Sequence, residues 1–131
     1  MRPDDFERIY KDSIYEISID DKIKYIKIDA LHPWLDDYKS WAYITAYNPH
    51  SQLMSKQENT ARNNQLLKDI QNLKLNYVLG ISYEADTYDW EEYGFLIFDI
   101  SLPQAKRLAS RYEQRAFIFG KKHEKSRLIL Y

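Results

Sequence analysis

The spacing of apolar positions changes period along this chain, and each change marks an element. From Trp41 to Tyr47 the period is two: Trp41, Tyr43, Thr45 and Tyr47 share one face and Ala42, Ile44 and Ala46 the other, which predicts a strand. Asn48-Pro49 ends it. Ser55-Lys56-Gln57-Glu58 then has the S-x-x-E form of a capping box, with Ser55 accepting from the first turn and Glu58 reaching back. The helix it opens runs to about Leu73, and Asn59, Asn63, Leu66, Ile70 and Leu73 fall in one stripe with Arg62 on its flank. Asn76 to Glu84 and Tyr93 to Ile100 predict two strands joined by a polar loop around Asp86 to Asp89. If that hairpin is symmetric about Thr87, Gly80 faces Gly94 and leaves space for close approach of a helix. Ser101-Leu102-Pro103-Gln104 is a second capping box, and Leu102, Ala105, Leu108, Ala109 and Tyr112 carry an apolar stripe to about Glu113. Ala116 to Phe119 and Arg127 to Tyr131 predict the last two strands. Ahead of all this, Asp4 to Lys11 reads as a short helix. Ile14 to Ile19 and Ile23 to Ile28 read as strands turned by Asp20-Asp21, and Ala30 to Ser40 as a loop or broken helix.

From Trp41 the order is β-α-β-β-α-β plus one C-terminal strand, the split βαβ arrangement of ferredoxin-like α+β folds. Residues 1–40 form an N-terminal helix and β-hairpin extension packing on this main domain of 41–131, in one globular domain. Both sheet faces are apolar: Val78, Leu96, Phe98 and Ile100 lie on one, and Tyr77, Leu79, Ile81, Phe95 and Ile97 on the other. Two helices cover one face. The aromatic face with Trp41 and Tyr43 is therefore expected under the first forty residues or in a dimer interface. Three connections meet at one end of this topology: Asn48 to Ser55, the loop around Glu84 to Trp90, and Glu113-Gln114-Arg115.

Composition narrows the chemistry. The chain of 131 residues is 44% hydrophobic and 30% charged, which fits a globular domain and excludes wholesale disorder. It has no cysteine, so disulfides, thiolate nucleophiles and Cys-ligated metal sites are excluded, and a cytoplasmic location is expected. The first ten residues carry no apolar signal-peptide core, and no apolar run approaches membrane-spanning length. Net charge is −1, distributed as 7 basic and 10 acidic side chains in residues 1–40, 4 and 8 in 41–100, and 8 and 2 in 101–131. The basic final third reads as a solvated face rather than a nucleic-acid footprint, since no RNP-like block or glycine-rich phosphate loop accompanies it.

The polar positions at the start of the first long helix carry the candidate site. Asn59 continues an apolar stripe, so it faces inward where an unpartnered amide is costly. Asn48, Ser51, Asn59 and Arg62 surround a helix N-terminus, which favours an anion, and Arg62 could add a bidentate contact. The alternative is structural: a turn at Asn48-Pro49, a cap at Ser55 and Glu58, and Arg62 paired with Glu92, with Gln114 as a further partner. Trp90 could stack on a base or sugar, or anchor the core. Asp86, Asp89, Glu91 and Glu92 lack calcium-loop spacing and read as a solvated hairpin, so no metal site and no cofactor is expected. His32, His50 and His123 are scattered. A His50–Ser51 nucleophilic pair lacks an evident third orienting group.

The blocks WAYITAYNPHSQLMSKQENTARNNQLL, WEEYGFLIF and YEQRAFIFG resemble the small bacterial proteins of domain-of-unknown-function family 3293. That family's pattern is I-T-A-x-N-P-x-S, E-N-x-x-R, W-x-E and F-x-Q-x-A. The resemblance implies marked positions at Thr45, Asn48, Pro49, Ser51, Glu58, Asn59, Arg62, Trp90, Glu92 and Gln114, and supplies no activity. Tyr93-Gly94 and Tyr112 depart from the pattern. Three functions stay open. The first is a small binding or regulatory protein holding an anionic or nucleotide-like ligand at the gathered end. The second is an enzyme there, with Glu92 or Glu58 as base and Arg62 stabilising charge. The third is an interaction module or homodimer using the aromatic sheet face.

Overall fold

The computed structural model of the chain describes residues 3–84 and 91–130. Helix α1 (Pro3–Asp12) leads into β1 (Ser13–Ile19), and β2 (Lys22–Ile26) returns beside it. Asp20 and Asp21 make the turn with φ of 50° and 61°, the left-handed pair that matches the twist of a two-residue hairpin. Then follow β3 (Ser40–Ile44), α2 (Lys56–Asn72), β4 (Tyr77–Glu84), β5 (Glu92–Phe98), α3 (Leu102–Arg111), β6 (Ala116–Lys121) and β7 (Arg127–Leu130). The fold is α+β: three helices and one antiparallel seven-stranded sheet in the order β2-β1-β4-β5-β3-β6-β7, curled into a half-barrel. Residues 1–40 thus add two strands to the sheet itself, through β1 beside β4. Among the described residues no helix is long and apolar enough to cross a membrane.

Three strands end earlier than their patterns predict, and in each case other groups claim the backbone. Past Ile26, the Lys27 amide donates to His32 Nε2 at 3.0 Å and its carbonyl accepts from Ser126 Oγ at 2.5 Å. Past Phe98, Asp99 turns left-handed at φ 58° and its amide donates to the Ser40 carbonyl at 2.8 Å. That turn swings Ile100 to the helix side of the sheet, opposite to the face its alternation predicts. The third case, β3, builds the candidate site below. Of the two capping boxes, the one at α3 closes fully, with Ser101 Oγ accepting from the Gln104 amide and Gln104 Oε1 from the Ser101 amide. At α2 only the first half forms: Ser55 Oγ accepts from the Glu58 amide, while Glu58 Oε1 accepts from the Ser55 hydroxyl rather than from its amide.

Each sheet face carries its own core. On the helix side, Leu66 and Ile70 of α2 and Ala105, Leu108 and Ala109 of α3 pack on Ala42, Ile44, Phe95, Ile97, Phe117 and Phe119. On the other side, Trp41 and Tyr43 are buried with Tyr15, Ile17, Ile26 and Leu35, under Ile28, Trp34 and Tyr38. The aromatic face is therefore covered by the first forty residues. Gly80 and Gly94 are cross-strand partners, and the space between them holds the Tyr43 ring instead of a helix. A Cβ on Gly80 would stand 2.6 Å from Tyr43 Cε2, and one on Gly94 would stand 2.8 Å from its hydroxyl. Burial holds the Tyr43 phenol well above its usual range, and its hydroxyl has no hydrogen-bond partner among the described residues. Burial also lowers the pKa of His32, whose ring edges meet Trp34 and Trp41.

These contacts fix the sign of two substitutions. Gly80→Ala should cost about 1–3 kcal/mol in urea unfolding because the ring has no room to retreat. Tyr43→Phe should be neutral or stabilising, because it removes a buried hydroxyl that bonds to none of the described residues. A large loss from Tyr43→Phe would contradict this packing.

Candidate functional site

Strand β3 stops at Ile44 because side chains replace its ladder. Thr45 Oγ1 donates to the Tyr93 carbonyl at 2.6 Å and accepts from the Tyr47 amide at 3.1 Å. The Ala46 amide donates to Asn63 Oδ1 at 3.2 Å, and the Ala46 carbonyl accepts from Arg62 Nε at 3.0 Å. Gln114 Nε2 donates to the Tyr47 carbonyl at 3.0 Å, and the Asn48 amide donates to Asn59 Oδ1 at 2.8 Å. The polar residues at the start of α2 thus sit inward to satisfy a segment that has left the sheet.

Asn48 is the hub. It is left-handed, at φ 50° and ψ 65°, a conformation asparagine tolerates better than most residues. Its Oδ1 accepts from Asn59 Nδ2 at 2.9 Å and from the Met54 amide at 3.0 Å, while its Nδ2 donates to Glu92 Oε2 at 2.7 Å. Both oxygen lone pairs are spent on protein. Arg62 is likewise committed: Nη2 donates to the Tyr112 carbonyl at 2.6 Å, Nη1 lies 3.7 Å from Glu113 Oε1, and the guanidinium sits over the Tyr112 ring. Its ion-pair partner is Glu113, where the sequence suggested Glu92. Burial, and secondly a hydrogen bond to Asp69, raise the Tyr112 phenol pKa.

The turn Pro49–Ser51 closes onto the end of α3. The His50 amide donates to the Glu113 carbonyl at 2.8 Å, and Arg115 Nε donates to the His50 carbonyl at 2.9 Å. His50 Nε2 lies 2.8 Å from Glu113 Oε2, with 59% and 48% of the two side chains exposed. Glu113 is itself left-handed at φ 58° in a Schellman ending, its amide bonding Ser110 O and the Gln114 amide bonding Ala109 O. Glycine is the usual occupant there. A glutamate in that place gains its side-chain pairs at a conformational cost of about 1 kcal/mol.

Of the candidate residues, the fold brings together Thr45, Asn48, Asn59, Arg62, Glu92 and Gln114. Glu58 stays at the helix cap, exposed. The side chain of Ser51 is not described, and Trp90, Asp86 and Asp89 lie outside the described residues. The sequence reasoning missed Asn63, Glu113 and Arg115 as members, and Glu113 is the third group that the His50 motif lacked. A signal for Glu113 was present: a non-glycine at a helix end, placed by topology beside the Asn48 turn.

A family model described as a protein of unknown function (DUF3293) matches residues 44–117. The chain belongs to this family. No curated protein and no solved structure matches it. The matched stretch runs from the last residue of β3 into β6 and includes every residue of the network, while β1, β2 and β7 lie outside it.

The network predicts its own mutational signature. Asn59→Ala leaves the buried Asn48 amide unpaired and should cost about 1–3 kcal/mol. Arg62→Lys should lose most of what Arg62→Ala loses, because one ammonium cannot serve two carbonyls and a carboxylate in a fixed fork. Urea midpoints of the three variants check both, and full retention of stability by Arg62→Lys would contradict the bonding described.

Proposed function

We propose that the chain is an interaction module whose docking surface is the bare half of its sheet on the helix side. One observation carries this reading: the helix-side core draws on β3 to β7 and takes nothing from β1 or β2. Cross-strand pairing aligns Tyr25, Glu16, Ile81 and Tyr93 in one row across β2-β1-β4-β5, with Ile23 and Leu79 in the next. Leu79 is 58% exposed, Ile23 53%, Tyr25 52% and Tyr93 50%. A tyrosine-rich, charge-poor surface is the composition of a protein interface core, and contiguous apolar faces are rarely left in water without use. The paired state of Asn48, Asn59 and Arg62 also supports it, because the network meets its own needs without a ligand.

We infer a ferredoxin-like core within this sheet. Strands β4-β5-β3-β6, with α2 and α3 in the connections after β3 and β5, fit the ferredoxin-like order, and β1, β2 and β7 extend it at the edges. Such a core leaves β1 and β2 beyond the reach of its two helices.

A second reading keeps a small anionic or nucleotide-like ligand at the network end. It is favoured by the exposed His50 imidazole, oriented by Glu113 in base-and-orienter geometry, with Arg62 and Arg115 beside it. A thermal shift with phosphate, nucleotides or carboxylates that His50→Ala abolishes would support it.

Site-specific photo-crosslinking tests the leading reading. A crosslinker at position 79 or 25, in cells producing the full chain, should trap a partner, and one at the exposed Lys68 on the outside of α2 should not. Equal yields from all three positions, or none, would refute the interface.

A further inference from the structure

Among the described strand residues of the bare face one is charged, and its place identifies what fits there. Glu16 stands in the middle row, flanked by Tyr25 on β2 and Ile81 on β4. Its Oε1 accepts from the Tyr83 hydroxyl at 2.5 Å, and no cation among the described residues pairs with it. Covering this face would strip water from a carboxylate that has a single neutral donor. That is costly unless the occupant supplies a counter-charge.

Two occupants are thereby separated. A second copy, docked face to face about a two-fold axis through the patch, would set its own Glu16 against this one. Two like charges would be enclosed with nothing to neutralise them. A partner presenting a cation among apolar side chains would instead form a charge-assisted hydrogen bond at the centre.

The width of the gap points to the partner's form. Beyond β5, where α2 packs, strands β4, β1 and β2, of which the helix-side core draws only on Tyr77, span two strand spacings, roughly 10 Å, which is about the width of one helix with its side chains. Gln71 of α2 lies along the near border, its amide donating to the Tyr77 hydroxyl at 3.3 Å. The border is thus polar and uncharged there.

Resting on the interaction reading above, we propose that this face receives an amphipathic helix of a partner protein, lying beside α2. Its apolar residues meet Ile23, Tyr25, Leu79, Ile81 and Tyr93, and a lysine or arginine among them meets Glu16. The helix takes the position of a third covering helix on this face, beside α2, where Leu79, Ile23, Tyr25 and Tyr93 are exposed among the described residues.

The test uses two synthetic helical peptides of equal length and leucine content, one carrying lysines and the other glutamates, titrated into the isotopically labelled full chain by NMR. The lysine peptide should shift the amides of Tyr25, Leu79, Ile81 and Tyr93 and bind about tenfold tighter than the glutamate peptide. Glu16→Gln should bring the two peptides to within about threefold of each other, and Leu79→Asp should abolish binding of both. Equal affinity of the two peptides for the unaltered chain overturns the proposed cation while leaving the interface reading standing. Shifts confined to other surfaces overturn the site. Concentration-dependent dimerisation lost in Leu79→Asp assigns the face to a second copy and overturns the helix proposal.

Discussion

Covering two faces of a seven-stranded sheet with too few elements is the constraint on which this fold turns. Each face of a sheet loses stability wherever apolar side chains stay in water, at roughly 25 cal/mol per Å². The segment from Ile28 to Tyr38 closes one face, and the curl of the sheet helps it. All seven strands contribute to that core, from Ile26 on β2 to Leu128 on β7. Glycines at 80, 94 and 120 let the Tyr43 and Trp41 rings lie against neighbouring strands. On the opposite face α2 and α3 pack over β5, β3 and β6, with Tyr77 of β4 and Ile129 of β7 at the margins, and among the described residues β1 and β2 add nothing to that core.

What fixes those two helices over those strands is the polar network. A strand that ended in a plain loop would leave the direction of α2 open. Here the backbone from Thr45 to Asn48 is bonded by Asn63, Arg62, Asn59 and Gln114, so the start of α2 and the end of α3 are tied to one point on β3. Hydrogen bonds from a charged donor contribute about 1.5–3 kcal/mol each, and Arg62 makes two to carbonyls. The family match covers this brace and both helices it positions, but stops short of β1 and β2, the two strands absent from the helix-side core.

Much of this was legible in the sequence because it is local. Period-two and period-3.6 patterns located all seven strands and three helices, the caps marked both long helix starts, and the symmetry of the hairpin about Thr87 paired Gly80 with Gly94. Less legible were features decided by distant groups. Strand ends at Ile26, Ile44 and Phe98 depend on Ser126, Asn63 and Ser40, remote in sequence. Tyr43, rather than a helix, filling the glycine gap follows from strand order, which adjacent residues do not encode. The inward face of Asn59 was readable from its helical phase. That its partner would be the Asn48 backbone was not, because any donor at that end would have served.

The chain's proposed role rests on whether the bare sheet half stays bare where the protein works. Oxidative footprinting of tyrosines, read by mass spectrometry on the purified chain and in intact cells, measures this directly, with buried Tyr43 as internal reference. The account predicts that Tyr25 and Tyr93 react readily in the purified chain and become several-fold protected in cells while Tyr43 is unreactive in both. Equal reactivity of Tyr25 and Tyr93 in the two settings would contradict it.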